Sequence, residues 1–87
     1  MTAVRLSDRQ HAALLALADL NRPVGGEQLA EKMIANGRQT SIVAAHQAAN
    51  GLDNKGLAVK RYVKGSPIEY EITKQGRELA ARTRPAS

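Results

Sequence analysis

The stretch GLAVKRYVKGSPIEYEITKQG, from Gly56 to Gly76, contains two runs in which apolar and polar residues alternate. The first run covers Leu57 to Lys64 and the second covers Ile68 to Thr73, with the tip sequence Lys-Gly-Ser-Pro where they meet. Alternation with a period of two is typical of half-buried strands, and glycine, serine and proline are typical of the turn between them. The stretch therefore predicts a small basic β-hairpin.

Two helices are predicted well before the hairpin from the spacing of apolar residues. Ser7 and, three residues later, Gln10 resemble a capping box, so the first helix is expected at about Asp8 to Leu20. A second, short helix is expected at Glu27 to Ala35, ahead of an Asn-Gly pair that is typical of a helix end. A Pro-Val-Gly-Gly break separates the two.

The third predicted helix has two distinct faces. Thr40 can cap it, and it is expected to run to about Asn54. Apolar residues recur at the helical period along a stripe formed by Ile42, Ala45, Ala48, Ala49 and Leu52. The opposite face carries Val43, His46, Gln47, Asn50 and Gly51. One side of this helix is therefore expected in the core and the other in solvent.

A last helix is expected directly after the hairpin. Thr73 can cap it, and it is expected to extend to about Arg82. The chain shows no repeat and no linker, so residues 1–87 are expected to form a single domain with an ordered core at 6–82 and frayed ends.

Composition limits the classes of function. The chain has 87 residues and no cysteine, and its 13 Lys and Arg against 8 Asp and Glu give a net charge of +5. A domain of this size has little room for a deep catalytic cleft, and a positive charge favours polyanions such as nucleic acid, with an anionic membrane surface as the competing partner. The sequence lacks paired carboxylates, a nucleophile with its base, a phosphate loop and a metal-ligating cluster. We therefore expect no enzyme activity, no cofactor and no metal.

The order of the elements predicts the fold. Two short helices joined by a tight turn, the second polar on its outer face, form a helix-turn-helix, and a hairpin that follows is a wing. The expected fold class is a winged helix-turn-helix, mainly α, with a three-helix core, a two-stranded wing and a C-terminal helix.

Three segments resemble winged helix-turn-helix transcription regulators of the MarR and PadR type. They are LDNKGLAVKR at Leu52 to Arg61, ITKQGR at Ile72 to Arg77, and QLAE at Gln28 to Glu31. The resemblance spans about residues 6–82. It implies that a recognition helix at about 40–54 enters the major groove of double-stranded DNA, and that the wing at 57–73 lies on the backbone or in the minor groove. It assigns base or phosphate contacts to Thr40, Val43, Ala44 and Gln47.

The resemblance also bears on oligomeric state. The chain lacks the long flanking helices with which these families dimerise, so a weak or DNA-induced homodimer is expected.

Basic residues cluster around the same predicted surface. If the fold is correct, one surface carries the phosphate contacts Arg38, Lys55, Lys60, Arg61 and Lys64. His46 on the recognition helix either contacts phosphate or a base edge or is merely solvated. The two tyrosines, Tyr62 and Tyr70, either stack on bases or, in the favoured interpretation, belong to the core or its rim.

The sequence thus predicts a cytoplasmic regulator that binds double-stranded DNA and does not cross a membrane. Two other functions fit the same fold: a protein-interaction module, and an architectural DNA-binding protein of recombination or segregation.

Overall fold

The computed structural model describes residues 5–62 and 64–84, which form four helices and three strands. In chain order these are α1 (Asp8–Leu20), β1 (Val24–Gly25), α2 (Gly26–Ala35), α3 (Ile42–Asn54), β2 (Ala58–Arg61), β3 (Glu69–Ile72) and α4 (Lys74–Thr83). The predicted winged helix-turn-helix is confirmed, and the predicted bounds of α1 match the observed ones. The expected fraying at the chain ends concerns residues 1–4 and 85–87, which lie outside the described part of the chain.

Side-chain caps define three of the helix starts. The predicted capping box is present, because Ser7 Oγ accepts from Gln10 N at 3.1 Å and Gln10 Oε1 accepts from Ser7 N at 3.2 Å. The predicted cap at Thr40 is wrong. Ser41 has the extended backbone of an N-cap, and its Oγ accepts from Ala44 N at 3.1 Å, so α3 begins one residue later than Thr40 would start it.

The sheet has one more strand than the alternating runs predicted. Strand β3 pairs with β2 to form the wing, and on its other side β3 pairs with β1, so the order is β1-β3-β2 and all pairs are antiparallel. Strand β1 has only two residues, too few for a visible alternation, which is why the pattern did not reveal it. Both wing strands are shorter than the predicted runs, and Val63 in the first run lies outside the described residues.

The core is built from aliphatic side chains and a single aromatic one. Leu14, Leu17, Leu29, Met33 and Leu52 from the first three helices are fully buried. Tyr70 on β3 is only 1% exposed, which confirms the core interpretation for this tyrosine, whereas Tyr62 is 72% exposed. The predicted apolar stripe of α3 is correct except at its first residue, because Ile42 is 48% exposed. No helix among residues 5–62 and 64–84 is long and apolar enough to cross a membrane.

A close contact joins the wing to α4. Thr73 Oγ1 donates to Gly56 O at 2.9 Å and accepts from Gly76 N at 3.0 Å, so one hydroxyl both caps α4 and holds the start of the hairpin. A Cβ atom added to Gly76 would lie 2.1 Å from Leu57 O, which is backbone and cannot rotate away. The Thr-x-x-Gly sequence is therefore the joint at which α4 packs against the wing.

We expect Gly76→Ala to lower the free energy of unfolding by about 1 to 3 kcal/mol, because the added methyl group overpacks against backbone and this exceeds the gain in helix propensity. Gly51→Ala is the matched control in another helix. Its Cβ would meet the amide end of the flexible Gln10 side chain, so its effect should stay within about 1 kcal/mol of zero. Urea unfolding of both variants measures the difference, and equal effects would contradict the proposed joint.

Candidate nucleic-acid interface

The outer face of α3 is the most prominent polar helix face beside the wing. Val43, Gln47, Asn50 and Asn54 follow one another at spacings of four, three and four residues, which places them on one side of the helix. Val43 is 66% exposed and Gln47 is exposed, while Asn50 is half-buried. The residues of this face can therefore meet an external surface, as the sequence predicted for Val43 and Gln47.

A cleft lies between this face and the start of α1. It has a volume of about 370 Å³ and is lined by Ser7, Asp8, Arg9, Gln10, Arg38, Gln47 and Ala48. Arg38, in the turn before α3, thus lines the same cleft as Gln47. Arg9 lines it as well, because the first turn of α1 packs beside α3. Both guanidinium groups and the N-terminus of α1 favour a phosphate here, while Asp8 opposes one.

The basic pair on β2 is split between the two faces of the sheet. Lys60 pairs with Tyr70, and Arg61 pairs with Glu69, in the antiparallel register. Because successive strand residues point to opposite faces, Lys60 shares the face of Tyr70, whose hydroxyl contacts α3. Arg61 lies on the other face, where its Nη2 is 2.7 Å from Glu71 Oε1. The prediction that both residues line one surface with α3 is therefore wrong for Arg61.

The side chain of Lys55, which directly follows α3, has partners within the protein. Its ammonium donates to Gln10 Oε1 at 2.9 Å and to the carbonyl oxygen of Arg5. These contacts hold the side chain against the start of α1, and the phosphate contact expected of Lys55 stays a prediction. No local pattern predicts these contacts, because the partners of Lys55 lie 45 and 50 residues away along the chain.

His46 connects α3 to the sheet and to α2. Its Nδ1 is 2.8 Å from Tyr70 Oη, and the two rings pack edge to face with centroids 5.5 Å apart. A Cβ atom on Gly26 would lie 2.2 Å from His46 Nε2, so the imidazole also lies against the first residue of α2. His46 was predicted either to contact DNA or to be merely solvated, and these internal contacts show that it is not merely solvated.

The remaining predicted residues lie near the start of α3 and at the tip of the wing. Ala44 and Thr40 are half-buried at the start of α3, and Lys64 is exposed at the wing tip beside Gly65, whose φ of 85° favours glycine. No cluster of three His, Cys, Asp or Glu side chains that could hold a metal occurs in residues 5–62 and 64–84.

A second groove lies on the wing side of α3 and has a different character. It has a volume of about 680 Å³ and is lined by Gly25, Gly26, Glu27, Gln28, Ile42, His46, Pro67, Ile68 and Glu69. Its charged groups are the carboxylates of Glu27 and Glu69, and Ile42, Pro67 and Ile68 make its apolar wall. Phosphates are disfavoured beside these carboxylates, so this groove suits a polyanion less well than the cleft at Arg9 and Arg38.

The Tyr70 hydroxyl lies at the centre of the contacts between α3 and the wing. Besides His46 it contacts Asn50, with Tyr70 Oη 3.3 Å from Asn50 Oδ1. Burial raises the pKa of the Tyr70 phenol above its ordinary value of 10.0, and the negative charge of Asp53 adds to the rise. The phenol therefore stays protonated and able to donate. The sequence analysis missed Asn50 as a partner of Tyr70. The two residues lie 20 positions apart on a helix and a strand, and no local pattern links them.

Comparison with known proteins supports the fold and leaves the family open. No protein-family model matches the chain, and no curated protein matches its sequence. Among solved structures, a mutant of Lactococcus lactis ZitR has a TM-score of 0.71 at 19% identity over 94% of this chain. Another structure of ZitR describes it as a zinc-responsive MarR family member.

Two further regulators have the same fold. The ferric uptake regulator of Vibrio cholerae, whose structure shows rearranged DNA-binding domains, has a TM-score of 0.69 at 18% identity over 83% of this chain. The adhesin competence repressor of Streptococcus pyogenes has a TM-score of 0.66 at 18% identity over 90% of this chain. This chain spans 53% of ZitR, 56% of the ferric uptake regulator and 55% of the repressor. At these identities the likeness shows the winged-helix fold.

The raised pKa of Tyr70 predicts a pH-dependent stability that Tyr70→Phe should lose. The folded protein holds the phenol proton more tightly than the unfolded chain does. The contribution of Tyr70 to the free energy of unfolding is therefore fully present below pH 10.0 and is lost as the pH rises through the raised pKa of the folded state. Urea titrations between about pH 8 and pH 11 should show a steeper fall in free energy of unfolding for the wild type. Equal slopes in both proteins would exclude a contribution of Tyr70.

Proposed function

We propose that this protein is a transcriptional regulator of the MarR type that binds double-stranded DNA in a sequence-specific manner. Helix α3 enters the major groove with Val43 and Gln47 toward the bases, and the wing lies along the backbone or in the minor groove. The observation that carries this proposal is the exposed outer face of α3, with the Arg9 and Arg38 cleft directly beside it. The regulators that share the fold support it.

The proposed phosphate contacts retain three of the five basic residues expected at this surface and include Arg9. Arg9, Arg38, Lys60 and Lys64 lie at the outer face of α3 or on the wing, whereas the exposed side chains of Lys55 and Arg61 are held by partners on the protein surface. We propose further that the protein acts in the cytoplasm, has no enzyme activity, and forms at most a weak dimer that two half-sites on DNA can bring together.

A protein-interaction module is the second candidate, and the groove between α2 and the wing favours it. Ile42, Pro67 and Ile68 give that groove an apolar wall, while Glu27 and Glu69 suit a cationic partner better than DNA. Selection of bound duplexes from a random pool separates the functions. An enriched motif supports the regulator, uniform recovery supports an architectural DNA-binding protein, and no recovery leaves the interaction module.

Salt dependence tests the corrected set of phosphate contacts. Each neutralised phosphate contributes about −0.9 to the slope of log affinity against log salt concentration, so Lys60→Ala should make the slope shallower by about one. Arg61→Ala removes the same charge from the neighbouring residue but on the opposite face, and it should leave the slope nearly unchanged. Fluorescence anisotropy with one duplex across a salt series measures both slopes, and equal changes would overturn the assignment of faces.

Gln47 tests whether α3 reads bases. Its exposed amide can pair bidentately with adenine, so Gln47→Ala should cost about 1 to 3 kcal/mol on the preferred duplex and relax the preference at one base pair. The control Gln75→Ala makes the same change at an exposed position of α4 and should have no effect. A loss by Gln47→Ala that is equal on matched and scrambled duplexes would mean that α3 holds the backbone without reading sequence.

A further inference from the structure

Asn50 lies on the proposed reading face but is not free to turn its amide. It follows Gln47 by three residues and Val43 by seven, so it lies on the same side of α3 as these exposed residues. Its Oδ1 is 3.3 Å from Tyr70 Oη, and Tyr70 is fixed in the core at 1% exposure. An amide carries two donors and one acceptor oxygen, so the direction of this hydrogen bond decides what Asn50 offers to the outside.

The direction of the hydrogen bond between Tyr70 and Asn50 depends on the contact that His46 makes at the start of α2. His46 Nε2 lies against Gly26, the first residue of that helix, where backbone N–H groups lack intrahelical acceptors and the helix dipole is positive. A bare nitrogen lone pair is favoured at that place and an N–H is disfavoured. The imidazole proton therefore belongs on Nδ1, which makes His46 the donor to Tyr70 Oη at 2.8 Å.

The single proton of the Tyr70 hydroxyl is then available for Asn50. Because the hydroxyl accepts from His46, it donates to Asn50 Oδ1, and this oxygen becomes the inner end of the amide. The amide nitrogen Nδ2 has no acceptor among the described residues, and no buried side-chain nitrogen or oxygen in that part of the chain lacks a partner. Nδ2 is therefore open to solvent and presents donors only.

We propose that Asn50 is a specificity-determining residue whose amide, oriented by Tyr70, donates to guanine in the major groove. A free asparagine pairs bidentately with adenine by donating to N7 and accepting from the N6 amino group, and the second bond is lost here because Oδ1 is turned inward toward the Tyr70 hydroxyl. Guanine presents two acceptors, N7 and O6, which suit a donor-only group. This inference rests on the proposed DNA-binding function and adds to it the base read at one position.

The test begins with the duplex motif that the wild type selects from a random pool. At the position read by Asn50, replacing guanine by adenine should weaken wild-type binding about tenfold. Asn50→Asp keeps the shape and an oxygen for the Tyr70 hydroxyl but turns the outer group into an acceptor. It should lose the preference for guanine and favour cytosine, whose N4 amino group donates in the major groove. Asn54→Asp is the control for charge, since it adds the same carboxylate one turn later on the same face and should leave the guanine preference intact.

Tyr70→Phe tests the orienting contact itself. Without the hydroxyl, the Asn50 amide can rotate. The affinities for the guanine and the adenine duplex should then differ by less than about twofold. Tyr62→Phe removes a hydroxyl from the exposed tyrosine and should keep the wild-type ratio. Circular dichroism establishes whether each variant is folded. If Tyr70→Phe does not fold, Asn50→Asp still tests the role of Asn50.

The outcomes separate the two proposals. A selected motif that Asn50→Asp leaves unchanged at every position overturns the role of Asn50 while the regulator function stands. An adenine preference of the wild type at that position overturns the orientation by Tyr70. If the wild type selects no motif, both the reading of bases by α3 and the role of Asn50 are overturned.

Discussion

The backbone of Leu57 contacts α3, the wing and α4 at one place. Its N–H donates to Leu52 O in the last turn of α3 at 2.9 Å, and its carbonyl accepts from Thr73 N at 3.1 Å. The same carbonyl lies where a Cβ of Gly76 would stand, so α4 passes directly beneath it. Since Leu57 is also 4% exposed, this joint is fixed by packing as well as by hydrogen bonds. The angle between the proposed reading helix and the wing depends on it.

The joint has a direct effect on which side chains can act together. Once β2 begins at a fixed place beside α3, the strand period decides the face of every wing residue. Lys60 falls on the side of α3, and Arg61 falls on the side of Glu71. Two adjacent cations in the sequence thus serve different purposes, one available to an external polyanion and the other in a cross-strand ion pair at the surface.

Much of the fold was predictable because its signals are local. The capping box at Ser7, the period of α1 and the alternation in the wing each depend on residues within a few positions of one another, and each prediction was confirmed. The strand β1 and the cap at Ser41 were missed, since two residues show no period and two adjacent hydroxyl residues compete for one cap. The candidate site was less predictable. The contacts of Lys55 and His46 join residues that are distant in the chain, and only the packed structure brings them together.

The two-residue strand β1 has a consequence for the behaviour of the protein at high concentration. Without it, β3 would expose an unpaired edge at Glu69 and Tyr70, and such edges promote polymerisation through added strands. Val24 and Gly25 cover part of that edge from within the chain. The opposite edge of the sheet is β2, which is only four residues long and ends in Lys60 and Arg61. A short charged edge on one side and an internal cover on the other disfavour strand exchange between copies of the chain.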